Sequence, residues 1–106
     1  MMNVIERIES QLKGHPVLLY MKGTPAFPQC GFSARAVQIL EASGAAYETV
    51  NIFDDPELRE ALKEYSHWPT YPQLYVNGEL VGGCDIMMEM HQSGELQKLL
   101  GGAVKQ

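Results

Sequence analysis

Gly23-Thr24-Pro25-Ala26-Phe27-Pro28-Gln29-Cys30-Gly31-Phe32-Ser33 is the stretch on which the reading of this chain turns. The apolar run Pro16-Val17-Leu18-Leu19-Tyr20-Met21 precedes it, and a helical pattern follows. The order is therefore a strand, a loop ordered by its Gly and Pro residues, and a helix opening at Cys30 or Gly31. The strand lacks polar–apolar alternation, which places it in the middle of a sheet covered on both faces. The helix runs to about Ser43, with Val37 and Leu40 inward and Gly44 as its stop. A cysteine at a helix start meets unpaired backbone N–H groups and the positive end of the helix dipole, and both favour thiolate over thiol. Ser33 stands where a resolving cysteine would be, so Cys30 has no local disulfide partner and needs sulfur from elsewhere.

Outward from this stretch the elements follow in order. Asn3 and Glu6 have the spacing of a capping box, and Val4, Ile8 and Leu12, widened by Ile5, give a first helix ending at Gly14. Residues 46–52 form a short strand. Asp55 and Pro56 take the cap and first positions of a third helix, with Leu58, Leu62 and Tyr65 as its buried stripe. Trp68-Pro69-Thr70-Tyr71-Pro72 is a rigid corner feeding the strand Gln73-Leu74-Tyr75-Val76. Asn77-Gly78 is a hairpin signal, and Glu79-Leu80-Val81 is the return strand, broken by Gly82-Gly83. Asp85 can cap a helix containing Ile86 and Met90. Ser93 is placed as the cap of a last helix, with Leu96, Leu99 and Leu100 inward, before Gly101-Gly102 and a short frayed tail. Two parallel strands joined by a crossover helix, plus an antiparallel hairpin, predict an α/β fold with a four-stranded mixed sheet and about five helices.

At 106 residues the chain is long enough for one domain with one modest core. Its net charge of −5, from 8 Lys and Arg against 13 Asp and Glu, includes no basic stripe and argues against nucleic acid as a partner. No apolar run approaches the ~20 residues of a membrane span. The start, Met1-Met2-Asn3-Val4-Ile5-Glu6, shows no secretory signal. Cys30 and Cys84 are too few for a disulfide scaffold. A reducing compartment fits, with the cytoplasm as the simplest placement, although a trimmed organellar protein would share these features.

Cys30-Gly31-Phe32-Ser33, combined with Lys22, the Trp68–Gln73 corner and Gly82-Gly83-Cys84-Asp85, closely resembles the compact single-domain form of the monothiol glutaredoxins. The resemblance runs from the first helix through Leu100 and implies a thioredoxin-like fold. It implies Cys30 as the reactive sulfur and metal ligand, and Phe32 as a shield or interface residue beside it. Lys22 and Arg59 become the cations for glutathione carboxylates, a task that suits Arg. Read from its helix alone, Arg59 is an exposed salt-bridge residue. Pro72 resembles the cis-proline of such folds, which would turn the Tyr71 backbone and Thr70 toward the ligand, although a trans bond is equally compatible with the sequence. Many relatives carry Phe at the position of Tyr71. Gly83 permits close approach. Asp85 is either the acceptor of the ligand's amine or a helix cap, or both. Cys84 is a structural thiol, a member of the glutathione loop, or a slow resolving partner of Cys30.

A 2Fe–2S cluster normally takes four thiolates. The resemblance implies that a homodimer supplies two Cys30 sulfurs, that two glutathione molecules supply the rest, and that the cluster passes to iron–sulfur acceptor proteins. One rival is a glutathione-dependent oxidoreductase, in which Cys30 attacks a protein–glutathione mixed disulfide and a second glutathione releases it. Another is a regulatory module sharing its cluster with a BolA-like protein. His15, His67 and His91 form no ligand pattern with the cysteines and read as surface or capping residues. Trp68 reads as a packed corner, and Met87, Met88 and Met90 as a helical packing face with members available to a partner.

Overall fold

Asn3 and Glu6 do close the box. The Asn3 side chain accepts from the Glu6 amide at 2.8 Å and the Glu6 carboxylate accepts from the Asn3 amide at 3.0 Å, opening α1 (Val4–Gly14). A computed structural model describes residues 3–104 and continues with β1 (Val17–Met21), α2 (Gly31–Ser43) and β2 (Glu48–Asn51). A 3₁₀ turn, Ile52–Asp54, leads to α3 (Pro56–Ser66), the hairpin β3 (Gln73–Val76) and β4 (Glu79–Gly82), then α4 (Cys84–Ser93) and α5 (Glu95–Val104). The strands are ordered β2-β1-β3-β4, with β1 parallel to β2 and antiparallel to β3, and β3 antiparallel to β4. This is the four-stranded mixed sheet of the thioredoxin-like fold.

The missing alternation in β1 has a plain cause. Val17, Leu19 and Met21 join a cluster with Val37 and Leu40 of α2, Met87 of α4 and Leu96 of α5. Leu18 and Tyr20 join the opposite cluster with Ile8 and Leu12 of α1 and Leu58 and Leu62 of α3. Successive side chains point to opposite faces, and both faces are covered, so every position is apolar. Among the described residues, no helix is long and apolar enough to cross a membrane.

Several expected boundaries move, each for a local reason. β2 ends at Asn51 rather than Ile52, because the Asn51 side chain accepts the Phe53 amide at 3.0 Å and turns the chain into the 3₁₀ segment. β1 begins at Val17, after Pro16, which has no N–H to give. β4 extends to Gly82, with a register shift opposite Leu74 and Tyr75. Tyr65 is half-buried at the edge of the α3 stripe. The cap of α4 is Gly83, not Asp85, which lies in the first turn. Ser93 ends α4, although its hydroxyl accepts the Glu95 amide at 3.3 Å. Gly101 and Gly102 do not stop α5, which continues through Val104; the tail expected to fray after it lies outside the described residues. Leu99 is 37% exposed rather than inward, while Leu96 and Leu100 are buried.

Leu40 and Leu99 therefore make a paired test of the core. Leu40→Ala is expected to cost about 2–5 kcal/mol in urea unfolding, and Leu99→Ala to fall within about 0.5 kcal/mol of the parent. Equal losses would contradict the packing described.

Candidate functional site

The end of β1 and the start of α2 are bonded at two points. The Lys22 amide donates to the Ser33 hydroxyl at 3.1 Å, and the Gln29 amide donates to the Lys22 carbonyl at 2.8 Å. Ser33 is fully buried. Between these points the chain folds back on itself, with the Thr24 and Phe27 backbones exchanging hydrogen bonds at 3.3 and 3.1 Å and Gly23 bridged to Pro28. Gly23, at φ 92°, donates its amide to the Asn51 side chain at 3.0 Å. A Cβ at Gly23 would lie 2.5 Å from the Phe27 carbonyl oxygen, so glycine is required there twice over, by conformation and by space. Asn51 thus ties the loop to β2, and the sequence offered no sign of it beyond a polar residue at a strand end.

Cys30 caps α2 in extended conformation, and its neutral thiol makes no capping hydrogen bond among the described residues. Partial burial pushes the thiol up. The facing amides of Ser33 and Phe32, the charge of Lys22 and the Ser33 hydroxyl outweigh it, and the balance holds Cys30 below the ordinary thiol value. Phe32 beside it is 62% exposed.

A cleft of about 530 Å³ opens at Cys30. Lys22, Cys30 and Phe32 line one side. Thr70, Tyr71 and Pro72 from the corner line another, and Gly83, Cys84 and Asp85 from the start of α4 complete it. The Tyr71–Pro72 peptide bond is cis. Every candidate residue except Arg59 lines this cleft. Arg59 sits on α3 with its guanidinium carbon 5.5 Å from the centre of the Phe53 ring. A Cβ on Gly83 would lie 3.3 Å from both the Pro72 carbonyl oxygen and the Trp68 indole nitrogen, so the absence of a side chain lets α4 close on the corner.

Two lining residues, Trp68 and Ile86, were not among the candidates. Trp68 is half-buried in the corner, as expected, yet it also lines the cleft. The corner is braced from below by Gln73, which is fully buried. Its side-chain amide donates to the carbonyls of Trp68 at 3.0 Å and Thr70 at 3.2 Å, and its oxygen accepts from the Tyr75 hydroxyl at 3.2 Å. A second concavity of about 410 Å³ adjoins the cleft and shares Cys30, Phe32, Cys84 and Asp85 with it, adding Gly31, Arg35 and Met88.

Cys84 is affected in the opposite sense to Cys30. Burial raises its thiol, the charge of Asp85 adds to this, and Arg35 offsets it in part while Cys30 reinforces it. Asp85 itself is exposed at the rim. Among the described residues, no group of three or more His, Cys, Asp or Glu side chains converges as a metal site.

A model of the glutaredoxin family matches residues 17–81. Over 100 residues the chain is 55% identical to glutaredoxin 4 of Escherichia coli (strain K12), covering 94% of this chain and 87% of that protein. It is 52% identical over 103 residues to glutaredoxin 4 of Buchnera aphidicola subsp. Schizaphis graminum, covering 97% and 96%. Among solved structures, reduced poplar apo GrxS14 superposes with a TM-score of 0.84 at 50% identity, covering 97% of this chain and 94% of that one.

The opposed shifts of the two thiols give a direct test. In mass-resolved alkylation across pH, Cys30 is expected to reach half its limiting rate at a lower pH than Cys84. Lys22→Gln removes a charge that favours thiolate, so it should move the Cys30 midpoint upward. A Cys30 midpoint above that of Cys84 would contradict the electrostatics described.

Proposed function

Because the chain belongs to the monothiol glutaredoxin family, we propose that it carries a 2Fe–2S cluster at a homodimer interface with two glutathione molecules and delivers that cluster to acceptor proteins. The observation that carries this reading is that the site offers one activated sulfur and no second. Cys30 is held toward thiolate at the cleft, the Ser33 hydroxyl accepts from the Lys22 backbone, and burial and Asp85 keep Cys84 toward the protonated thiol. Thiolate is the form that ligates metal. A cluster taking four such ligands then needs one sulfur from each of two chains and two from outside.

The cleft suits glutathione in chemistry. Lys22 is a cation beside Cys30, the corner presents backbone groups of Thr70 and Tyr71, and Asp85 at the rim can meet an amine. Arg59 is assigned the other carboxylate from α3, outside the lining. Glutathione sulfurs are exchangeable ligands, and a cluster with a single covalent tie to each chain suits release more than permanent electron transport. In the same reading a BolA-like protein can replace the second copy, and the protein works in the cytoplasm. Oxidoreductase turnover with glutathione, in which the Cys30 thiolate displaces a protein thiolate from a mixed disulfide, is at most a weak side activity.

Anaerobic native mass spectrometry after incubation with iron, sulfide and glutathione should show a dimer carrying two irons, two sulfides and two glutathiones. Omitting glutathione should abolish it. Cys30→Ser should keep the parent far-ultraviolet circular dichroism and lose the cluster. A Cys30→Ser dimer holding the same cluster would overturn the ligation. A metal-free monomer of the parent protein, with rapid deglutathionylation, would favour the oxidoreductase.

A further inference from the structure

Tyr71 contributes to the site at both ends of its side chain. The residue lines the cleft, is 6% exposed, and belongs to the buried cluster that holds Leu58 and Leu62 of α3. Its hydroxyl reaches α3 and donates to the Arg59 carbonyl at 2.6 Å. That carbonyl belongs to the interior of a helix, where the helical ladder already supplies an N–H partner. The phenol is thus not needed to satisfy a stranded acceptor; it is an added tie between the cleft wall and the helix that carries Arg59. Burial raises the phenol above its usual range, so it stays protonated and able to donate.

Arg59 is held at its other end as well. Its guanidinium lies over the Phe53 ring, and Phe53 stands in the turn braced by the Asn51 side chain. Its Nε is buried and has no hydrogen-bond partner among the described residues. The residue is therefore fixed through its backbone by Tyr71 and through its head by Phe53, and it keeps donor capacity unspent.

We propose that the Tyr71 hydroxyl is a positioning group that sets Arg59 in register with the cleft wall for a glutathione carboxylate. This rests on the assignment of Arg59 to glutathione made above. A ligand held by the Tyr71 backbone and by a guanidinium on α3 is sensitive to the distance between those two groups. The planar fork of Arg rewards correct placement and tolerates little displacement. One hydrogen bond, from the hydroxyl of the first residue to the backbone carbonyl of the second, ties the two directly. A phenylalanine at position 71 would keep the ring without the tie, leaving α3 to its apolar packing and to the Arg7 ion pairs with Asp55 and Glu57 at its start.

Calorimetric titration with reduced glutathione of the parent chain, Tyr71→Phe, Arg59→Ala and the double variant tests this, with thermal unfolding run alongside. Tyr71→Phe is expected to weaken binding about two- to tenfold, a loss bounded by the net worth of the one hydrogen bond that places Arg59. In the Arg59→Ala background the same change should weaken binding no further, because Tyr71 acts through Arg59. Two losses that multiply would show Tyr71 acting without Arg59 and would overturn the proposal, as would unchanged binding in Tyr71→Phe alongside weakened binding in Arg59→Ala. Unchanged binding in Arg59→Ala would instead remove the assignment beneath the proposal, and the proposal with it.

Discussion

Lys22 is the point at which the buried sheet hands over to the site, and its backbone is bonded on both sides. Its amide holds Ser33 at 3.1 Å and its carbonyl holds Gln29 at 2.8 Å, so the residues before and after Cys30 are tied to the end of β1. β1 is fully buried between two apolar clusters, which makes it a rigid anchor. The sulfur is thereby carried on a loop whose two ends cannot drift. In this arrangement serine has a task that cysteine would perform poorly, because a hydroxyl oxygen accepts from an amide far better than a sulfur does. The residue that replaces a second thiol is also the residue that fixes the first.

Opposite electrostatics within one cleft then separate the two cysteines. Partial burial opposes ionisation at both. At Cys30 it loses to two backbone amides, a lysine and a hydroxyl; at Cys84 it is reinforced by Asp85 and only partly relieved by Arg35. Both residues begin helices, Cys30 as the cap of α2 and Cys84 as the first residue of α4. A helix start alone therefore does not decide the outcome. At Cys30 the amides of Ser33 and Phe32 lead and the Lys22 charge adds to them, whereas at Cys84 burial leads and the Asp85 charge adds to it. The second sulfur is thus close enough to share the cleft and disfavoured as a ligand within it.

The fold was readable because its signals are local and strongly periodic. The capping box at Asn3, the Asp55-Pro56 helix start and the Asn77-Gly78 turn each act within a few residues, and each stands where the sequence put it. Cys30, Lys22 and the 70–72 corner were legible through the motif, and the cleft gathers them. What escaped were polar residues whose partners are distant. Asn51 reads as a strand residue, yet it braces the loop at Gly23 and the turn at Phe53. Gln73 reads as the first residue of a strand, yet its side chain is buried and holds the corner. Asp85 has the composition of a cap, but Gly83 takes that place, where a Cβ would crowd Pro72 and Trp68 at 3.3 Å. Gly101 and Gly102 look like a stop, yet α5 passes through them, anchored by Leu96 and Leu100 against the sheet. Tertiary packing overrides the cost of glycine in a helix, about 1 kcal/mol each.

Gln73 shows how the corner can be both irregular and firm. A loop that turns its backbone toward a cleft gives up ladder hydrogen bonds, and buried carbonyls left unpaired are costly. The Gln73 amide group answers two of them at once, and the Tyr75 hydroxyl occupies its oxygen, so each polar end of the side chain has a partner. Such a network is stabilising only when every member is satisfied, and in a low-dielectric interior its loss is felt by all of them together. The corner is thus held from the sheet side by Gln73 and from the helix side by the Tyr71 hydroxyl. The Trp68 and Thr70 carbonyls are thereby committed while the corner keeps its place beside the cleft.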